Sequence, residues 1–301
     1  MKRILFQITA VAILLFFVAI SCKKNVNVIG VTLDKKNIIL TVDAMETLTA
    51  TIHPNDATDR SITWTSNNPE VAMIEYSIGG TTTNIAVIAK AAGAATITVT
   101  TNDGKFTATC AVTVIPITEW VEINGVKWAT CNVDMPGTFA AKPEDAGMFY
   151  QWNRKIGWSS TDPMINSDGG TTWDWDSSVP TGDSWEKSND PCPTGWRVPT
   201  LGELASLPGS QWATVNGVNG RIFGSGDKIV FFPAVGLRSG FNGTWGYGYP
   251  SQTGSYWSGT PVMFNSQSAY CLTFYNDDRV DRDYSLTRSY GFPLRCVSEQ
   301  K

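Results

Sequence analysis

The chain has 301 residues, enough for two domains of ordinary size. Charged residues make up 17% of it, against a globular norm of roughly 25%, while aromatics reach 11% with twelve tryptophans. The single histidine, His53, excludes sites that need two imidazoles, and a net charge of −4 excludes the basic face of a nucleic-acid binder.

Lys2 and Arg3 precede a mostly apolar run over Ile4–Val18, and Ala19-Ile20-Ser21-Cys22 closes it with small residues before a cysteine. Residues 1–21 resemble a bacterial lipoprotein signal. The resemblance implies a lipidated Cys22, a short linker over 22–26, and a membrane anchor without a transmembrane helix. It places the protein in the cell envelope, at the outer membrane, with the membrane face left open. Export also puts the remaining cysteines where disulfides persist.

Residues 27–115 hold one tryptophan and residues 119–301 hold eleven, with a seam at Ile115-Pro116-Ile117. Before the seam, short stretches alternate threonine with Val, Ile, Leu or Ala, as in Thr47–Ile52 and Ala95–Thr100. That alternation, broken by Asn, Asp, Pro and Gly, predicts an all-β antiparallel sandwich of half-buried strands. Leu48-Thr49-Ala50-Thr51-Ile52, Pro54-Asn55-Asp56-Ala57-Thr58, Ile62-Thr63-Trp64-Thr65-Ser66-Asn67-Asn68-Pro69 and Ala92–Val99 follow in order. This set resembles the bacterial Ig-like domain, group 2, which implies a presenting or spacer module. Ser77–Thr83 departs from it by lengthening a hairpin. We expect Trp64 in the sandwich core, His53 solvated at a strand end beside Pro54, and Cys110 as a buried free thiol.

After the seam the aromatics are interleaved with Gly, Ser, Thr, Asn and Asp. One helix is predicted, over Thr200–Leu207, where Thr200 and Glu203 have capping-box spacing. Strands are predicted at Trp120–Ile123, Val126–Ala129, Ile229–Phe232, Tyr270–Tyr275 and Leu294–Val297, giving a small α/β domain with long loops over 119–301. Glu122–Val133, Asp190–Thr200, Phe232–Arg238, Gly254–Gly259 and Gly291–Val297 are together similar to the Fibrobacter succinogenes major paralogous domain. That resemblance implies a C-type-lectin-like fold, a Cys192–Cys296 bridge, and packing roles for Trp128, Trp196 and Trp257. Cys131 and Cys271 are left as either a second bridge or two buried thiols.

No nucleophile elbow, phosphate loop or zinc spacing occurs, so the chain reads as a non-enzyme. Converging carboxylates of a hydrolase would be invisible to spacing, and no pair stands out. Trp158, Trp173, Trp175 and Trp185 lie among aspartates, and Trp245 and Tyr247 lie in Phe241–Pro250. Aromatic faces beside carboxylates and amides suit glycan stacking, although a loop-rich domain also uses such rings as core. Asp277, Asp278 and Asp281 form the densest acidic run. They read either as calcium ligands, the one cofactor considered, or as a hairpin of 270–275 and 279–284 with Arg279 and Arg282 pairing the carboxylates. The expected function is a lipid-anchored envelope protein whose Ig-like spacer presents a head that binds glycan or a surface protein. The alternative is a structural subunit of a surface assembly.

Overall fold

Threonine-to-apolar alternation in the first half gives eight strands in the computed structural model, which describes residues 25–76, 83–168, 175–226, 228–247 and 249–300. The signal segment, Cys22 and most of the lengthened hairpin, residues 77–82, lie outside the described residues. The strands are β1 (Gly30–Leu33), β2 (Asn37–Thr41), β3 (Met45–His53), β4 (Ile62–Ser66), β5 (Ala72–Tyr76), β6 (Asn84–Ala89), β7 (Gly93–Thr101) and β8 (Thr107–Ile115). One sheet runs β1-β3-β6-β5, and the facing sheet contains β2-β8-β7-β4, with β2 and β8 parallel.

Alternate residues of both sheets meet in one core that includes Leu40, Leu48, Ile52, Trp64, Ile85, Val87, Ile97 and Val99. The period of two therefore maps directly onto inside and outside. Trp64 is buried there, as expected. Cys110 is an unbridged buried thiol, and burial pushes its pKa up to about 11. His53 is at the strand end expected of it, the last residue of β3, with Nε2 3.1 Å from Thr32 Oγ1 on the paired strand.

The second half is β-rich, not α/β. Among the described residues its one α-helix is Leu201–Ser206, six residues long, beside a single 3-10 turn at Lys187–Asn189. The helix is held by the capping box read from sequence: Thr200 Oγ1 accepts from Glu203 N–H, and the Glu203 carboxylate accepts from Thr200 N–H. Arg197 grips the same carboxylate with both terminal nitrogens, at 2.8 and 2.6 Å. Burial alone would raise the pKa of Glu203; this fork and the helix cap hold it below the usual carboxylate range.

Trp120–Ile123 and Val126–Ala129 form the hairpin expected of them. The expected strand Leu294–Val297 is displaced to Val297–Ser298. Leu294, Arg295 and Cys296 are all fully buried, so this stretch has no solvent face to alternate with. The expected strands Ile229–Phe232 and Tyr270–Tyr275, and the expected hairpin of 270–275 with 279–284, belong to two larger antiparallel systems. Ser210–Val215, Val218–Ser225 and Lys228–Pro233 form one antiparallel meander. Thr253–Pro261, Ser268–Tyr275 and Val280–Thr287 form the other.

The first meander crosses the seam. Val215 pairs in parallel with Ile39 of β2, so the β2-β8-β7-β4 sheet continues into the second half as seven strands. One face of the meander supplies Phe223, Val230 and Phe232 to the head core. The opposite face supplies Ala213, Val215, Ile222 and Phe231, which bury against Ile115 and pack with Ile39 and Ile229. Docking also covers β2, which would otherwise be a bare sheet edge.

The joint is fastened by Asn216, in the two-residue turn Asn216-Gly217. Both residues have positive φ, 47° and 81°, as the tight hairpin geometry requires. Asn216 Oδ1 accepts from Thr41 N–H at 3.1 Å, and Nδ2 donates to Thr41 Oγ1 at 2.7 Å and to Glu144 Oε1 at 2.8 Å. Replacing Asn216 with glycine keeps the turn and removes these bonds, and should cost about 1–3 kcal/mol by urea denaturation. Replacing it with alanine adds left-handed strain of about 1 kcal/mol. A glycine variant as stable as the parent would mean that the amide does not fasten the joint.

Four arginines, at 221, 238, 288 and 295, are buried in the second half. Their guanidinium groups serve the backbone of the loops. Arg238 donates to the carbonyls of Ser159, Thr161 and Gly243. Arg288 donates to those of Ser268, Pro180 and Gly182 while lying 4.0 Å over the Trp152 ring. Long connections carry carbonyls that no sheet ladder satisfies, and a fork of five donors can satisfy several at once.

Candidate functional site

Among the described residues, Trp158, Trp175 and Trp185 do not form the exposed platform expected of them. Trp158 and Trp175 are only 4% and 8% exposed and form a small core with Met164, their ring centroids 5.4 Å apart. Trp175 Nε1 donates to Gly240 O. Trp185 is half-buried, set edge-on to Trp152 at 5.8 Å, with Nε1 donating to Asn189 O. Irregular segments have no amphipathic face, so their rings turn inward to anchor them. Trp173 and its neighbour Asp174 lie outside the described residues.

Trp245 is different. It opens the strand Trp245–Tyr247, pairs with Arg238, and is 36% exposed. The Tyr247 side chain lies outside the described set. In the same loop Phe241 is 83% and Tyr249 74% exposed. Both rings fall within the aromatic stretch Phe241–Pro250, where Trp245 and Tyr247 are the named candidates; their signal is a large aromatic among Gly, Asn and Thr. The loop is fixed from within. Arg238 holds Gly243 O, Asn242 Oδ1 accepts from Thr244 N–H, and Phe241 N–H donates to Ser239 Oγ.

The acidic run is the hairpin of the second expectation. Tyr275 ends one strand and Val280 begins the next. Asp277 pairs with Arg279 at 2.8 Å, and Asp278 pairs with the buried Arg221 at 3.0 Å. Asp281 sits in the returning strand opposite Thr273. The three carboxylates are thus not brought together, and among the described residues no group of three or more His, Cys, Asp or Glu could hold a metal ion. One detail differs from expectation. Arg282 donates to Pro208 O and lies 6.0 Å over Phe223, leaving its neighbouring aspartates unpaired by it.

Cys192 and Cys296 are bridged, joining the segment before the helix to the residue before the final strand across 104 residues. Cys131 and Cys271 are separate buried thiols, so the second bridge is not formed. Burial raises the pKa of both, to about 12 for Cys271, which keeps them protonated and poorly nucleophilic near neutral pH.

A concave surface opens at the seam. Three adjoining hollows, of about 370, 600 and 410 Å³, share lining residues Thr113, Ile39, Gln211 and Gly226. Asn37, Ile39 and Thr113 come from the sandwich, and Gln211, Ala213 and Ile222 from the meander. No charged side chain lines any of the three among the described residues.

An eight-stranded sandwich of this order defines an Ig-like domain, and residues 27–112 match the family model of the bacterial Ig-like domain (group 2). An Ig-like virion protein of Serratia phage KSP90 is 39% identical over 89 residues, 30% of this chain and 32% of that protein. A minor capsid protein of Enterobacteria phage T3 is 39% identical over 100 residues, 32% of this chain and 21% of that protein. The chain therefore spans a third or less of the length of these curated relatives. Domains 4 and 5 of the S-layer protein SbsC are similar over 29% of this chain and 51% of that chain, at 20% identity and a TM-score of 0.25, a value that establishes no shared overall fold. No helix among the described residues is long and apolar enough to cross a membrane.

Proposed function

We propose that this is a lipid-anchored protein of the cell envelope in which an Ig-like domain carries a binding head to its ligand. The observation that carries the reading is the shared seven-stranded sheet, which makes spacer and head one body. A head so fixed can present a loop in a set orientation. The presented surface is the loop with Phe241, Trp245 and Tyr249, whose exposed rings suit stacking on the apolar faces of sugars. The description of relatives as virion and minor capsid proteins supports a structural or surface role. Lipidation at Cys22 would tether this body to the membrane.

The test is binding of the intact chain to a glycan array, with and without Phe241→Ala and Trp245→Ala together. Both positions are exposed, so the fold should survive the change. Loss of about 1–3 kcal/mol, or roughly a 5- to 150-fold weaker Kd, is expected if both rings stack on sugar. A protein that binds glycan equally well after the change does not use this loop.

A further inference from the structure

We infer a second ligand site at the seam: the hollow between the sandwich and the meander takes an uncharged oligosaccharide. The inference rests on the proposed function for its class of ligand and on different residues for its place.

The floor of the hollow is one face of a continuous sheet. Ile38 and Leu40 point into the sandwich core, so Asn37 and Ile39 must point the other way. Register places Ala111 beside Asn37 and Thr113 beside Ile39 on β8. Across the seam, Val215 stands beside Ile39, which sets Ala213 and Gln211 on the same face of the next strand. The two edge strands pair only at Val215 and Ile39 and part towards their N-terminal ends. Their divergence opens the hollow lined by Asn37, Ile39, Gln211 and Ala213, with Trp212 at its edge.

The chemistry of that floor selects the ligand. Small and apolar groups, Ala111, Ala213, Ile39 and Ile222, leave a shallow surface on which a flat apolar face can rest. The side-chain amides of Asn37 and Gln211 are exposed and form no hydrogen bond among the described residues, and each offers two donors and an acceptor to hydroxyl groups. The Thr113 hydroxyl adds a third free partner. An anionic ligand would need a cation here, and a cationic ligand an anion. Among the described residues the lining supplies neither, although the chain as a whole is charged. A pyranose ring combines one apolar face with equatorial hydroxyls, and successive rings of an extended chain can follow strands spaced about 4.8 Å apart. Ligand sites favour domain interfaces for the same reason that this one exists: two rigid units meet without filling the space between them.

The experiment uses the full chain, labelled for NMR. It is titrated with hexamers of β-1,4-glucose, β-1,3-glucose, α-1,4-glucose and N-acetylglucosamine, and with hexagalacturonate as the charged probe. The side-chain amide signals of Asn37 and Gln211 report this site, and the indole N–H of Trp245 reports the exposed loop. At least one neutral hexamer should move both amide signals saturably, and hexagalacturonate should not. The double variant Asn37→Ala, Gln211→Ala should weaken that binding at least tenfold with the thermal midpoint unchanged, since both side chains are exposed. Amide signals unmoved by every neutral hexamer would overturn the inference, as would equal binding by the double variant. Movement of the Trp245 signal alone overturns the seam site and leaves the loop as the place of binding. Movement at the seam alone does the reverse.

Discussion

Replacing Arg295 with alanine should destabilise the protein by about 3–5 kcal/mol, the largest loss expected from any single side chain outside the bridge. Arg295 is fully buried, donates to Ala129 O at 3.3 Å and Phe231 O at 2.8 Å, and lies 5.0 Å over the Phe232 ring. Alanine would leave two buried carbonyls without donors and a cavity beside Phe232. The guanidinium is itself held at a cost. Burial lowers its pKa, no carboxylate pairs with it among the described residues, and its Nε lacks a partner. Methionine at this position fills the volume and removes that desolvation penalty, so it should cost only about 1–3 kcal/mol. Chemical denaturation of both variants separates the contributions. If methionine proves as damaging as alanine, the carbonyls dominate; if both are neutral, the arginine does not staple this region.

Opening the Cys192–Cys296 bridge should cost about 2–5 kcal/mol, because it frees a loop of 104 residues in the unfolded chain. For a unit of this size that corresponds to a fall in thermal midpoint of roughly 7–14 °C at the centre of the range. The measurement has an internal control. Cys110, Cys131 and Cys271 are already thiols, so a reductant acts on a single bridge among the described residues. The reduced protein and the Cys192→Ala, Cys296→Ala variant should therefore melt together. A midpoint shift below about 2 °C in both would show that the unfolded chain is restrained in some other way.

Features written in local spacing were legible before the structure. Threonine alternation marked the sandwich, Trp64 its core, and Thr200 with Glu203 the helix start. The Cys192–Cys296 bridge followed from a resemblance, and no spacing rule alone would have chosen it. Other features depend on distant partners. Val215-Asn216-Gly217-Val218 carries the apolar-flanked Asn-Gly signal of a hairpin and could have been read. That its asparagine would reach Thr41 could not. Ile229-Val230-Phe231-Phe232 is apolar at both parities, a mark of burial on both faces, but the second face is covered only because the sandwich docks there. The buried arginines carry little local mark, because a charged side chain is ordinarily placed at the surface. Arg295 stands between Leu294 and Cys296 in an apolar run, which was the available warning. The tryptophans divided by exposure in a way no period reveals, because loops have none.

The seam contact of Thr41 with Asn216 joins residues 175 apart in the chain. Such contacts are costly to close by chance, and they are slow to form when both partners are unstructured. A chain that folds as it emerges N-terminus first avoids that search. The sandwich can complete itself while residues 210–233 are still to come, and β2 then waits as an ordered edge. The meander adds to it as a strand adds to a template, hiding Val215, Ile222 and Phe231 as they arrive. On this view the order of the two halves along the chain is itself part of the folding route. With the halves reversed, the head would emerge with one face of its meander bare and prone to aggregate until the sandwich followed.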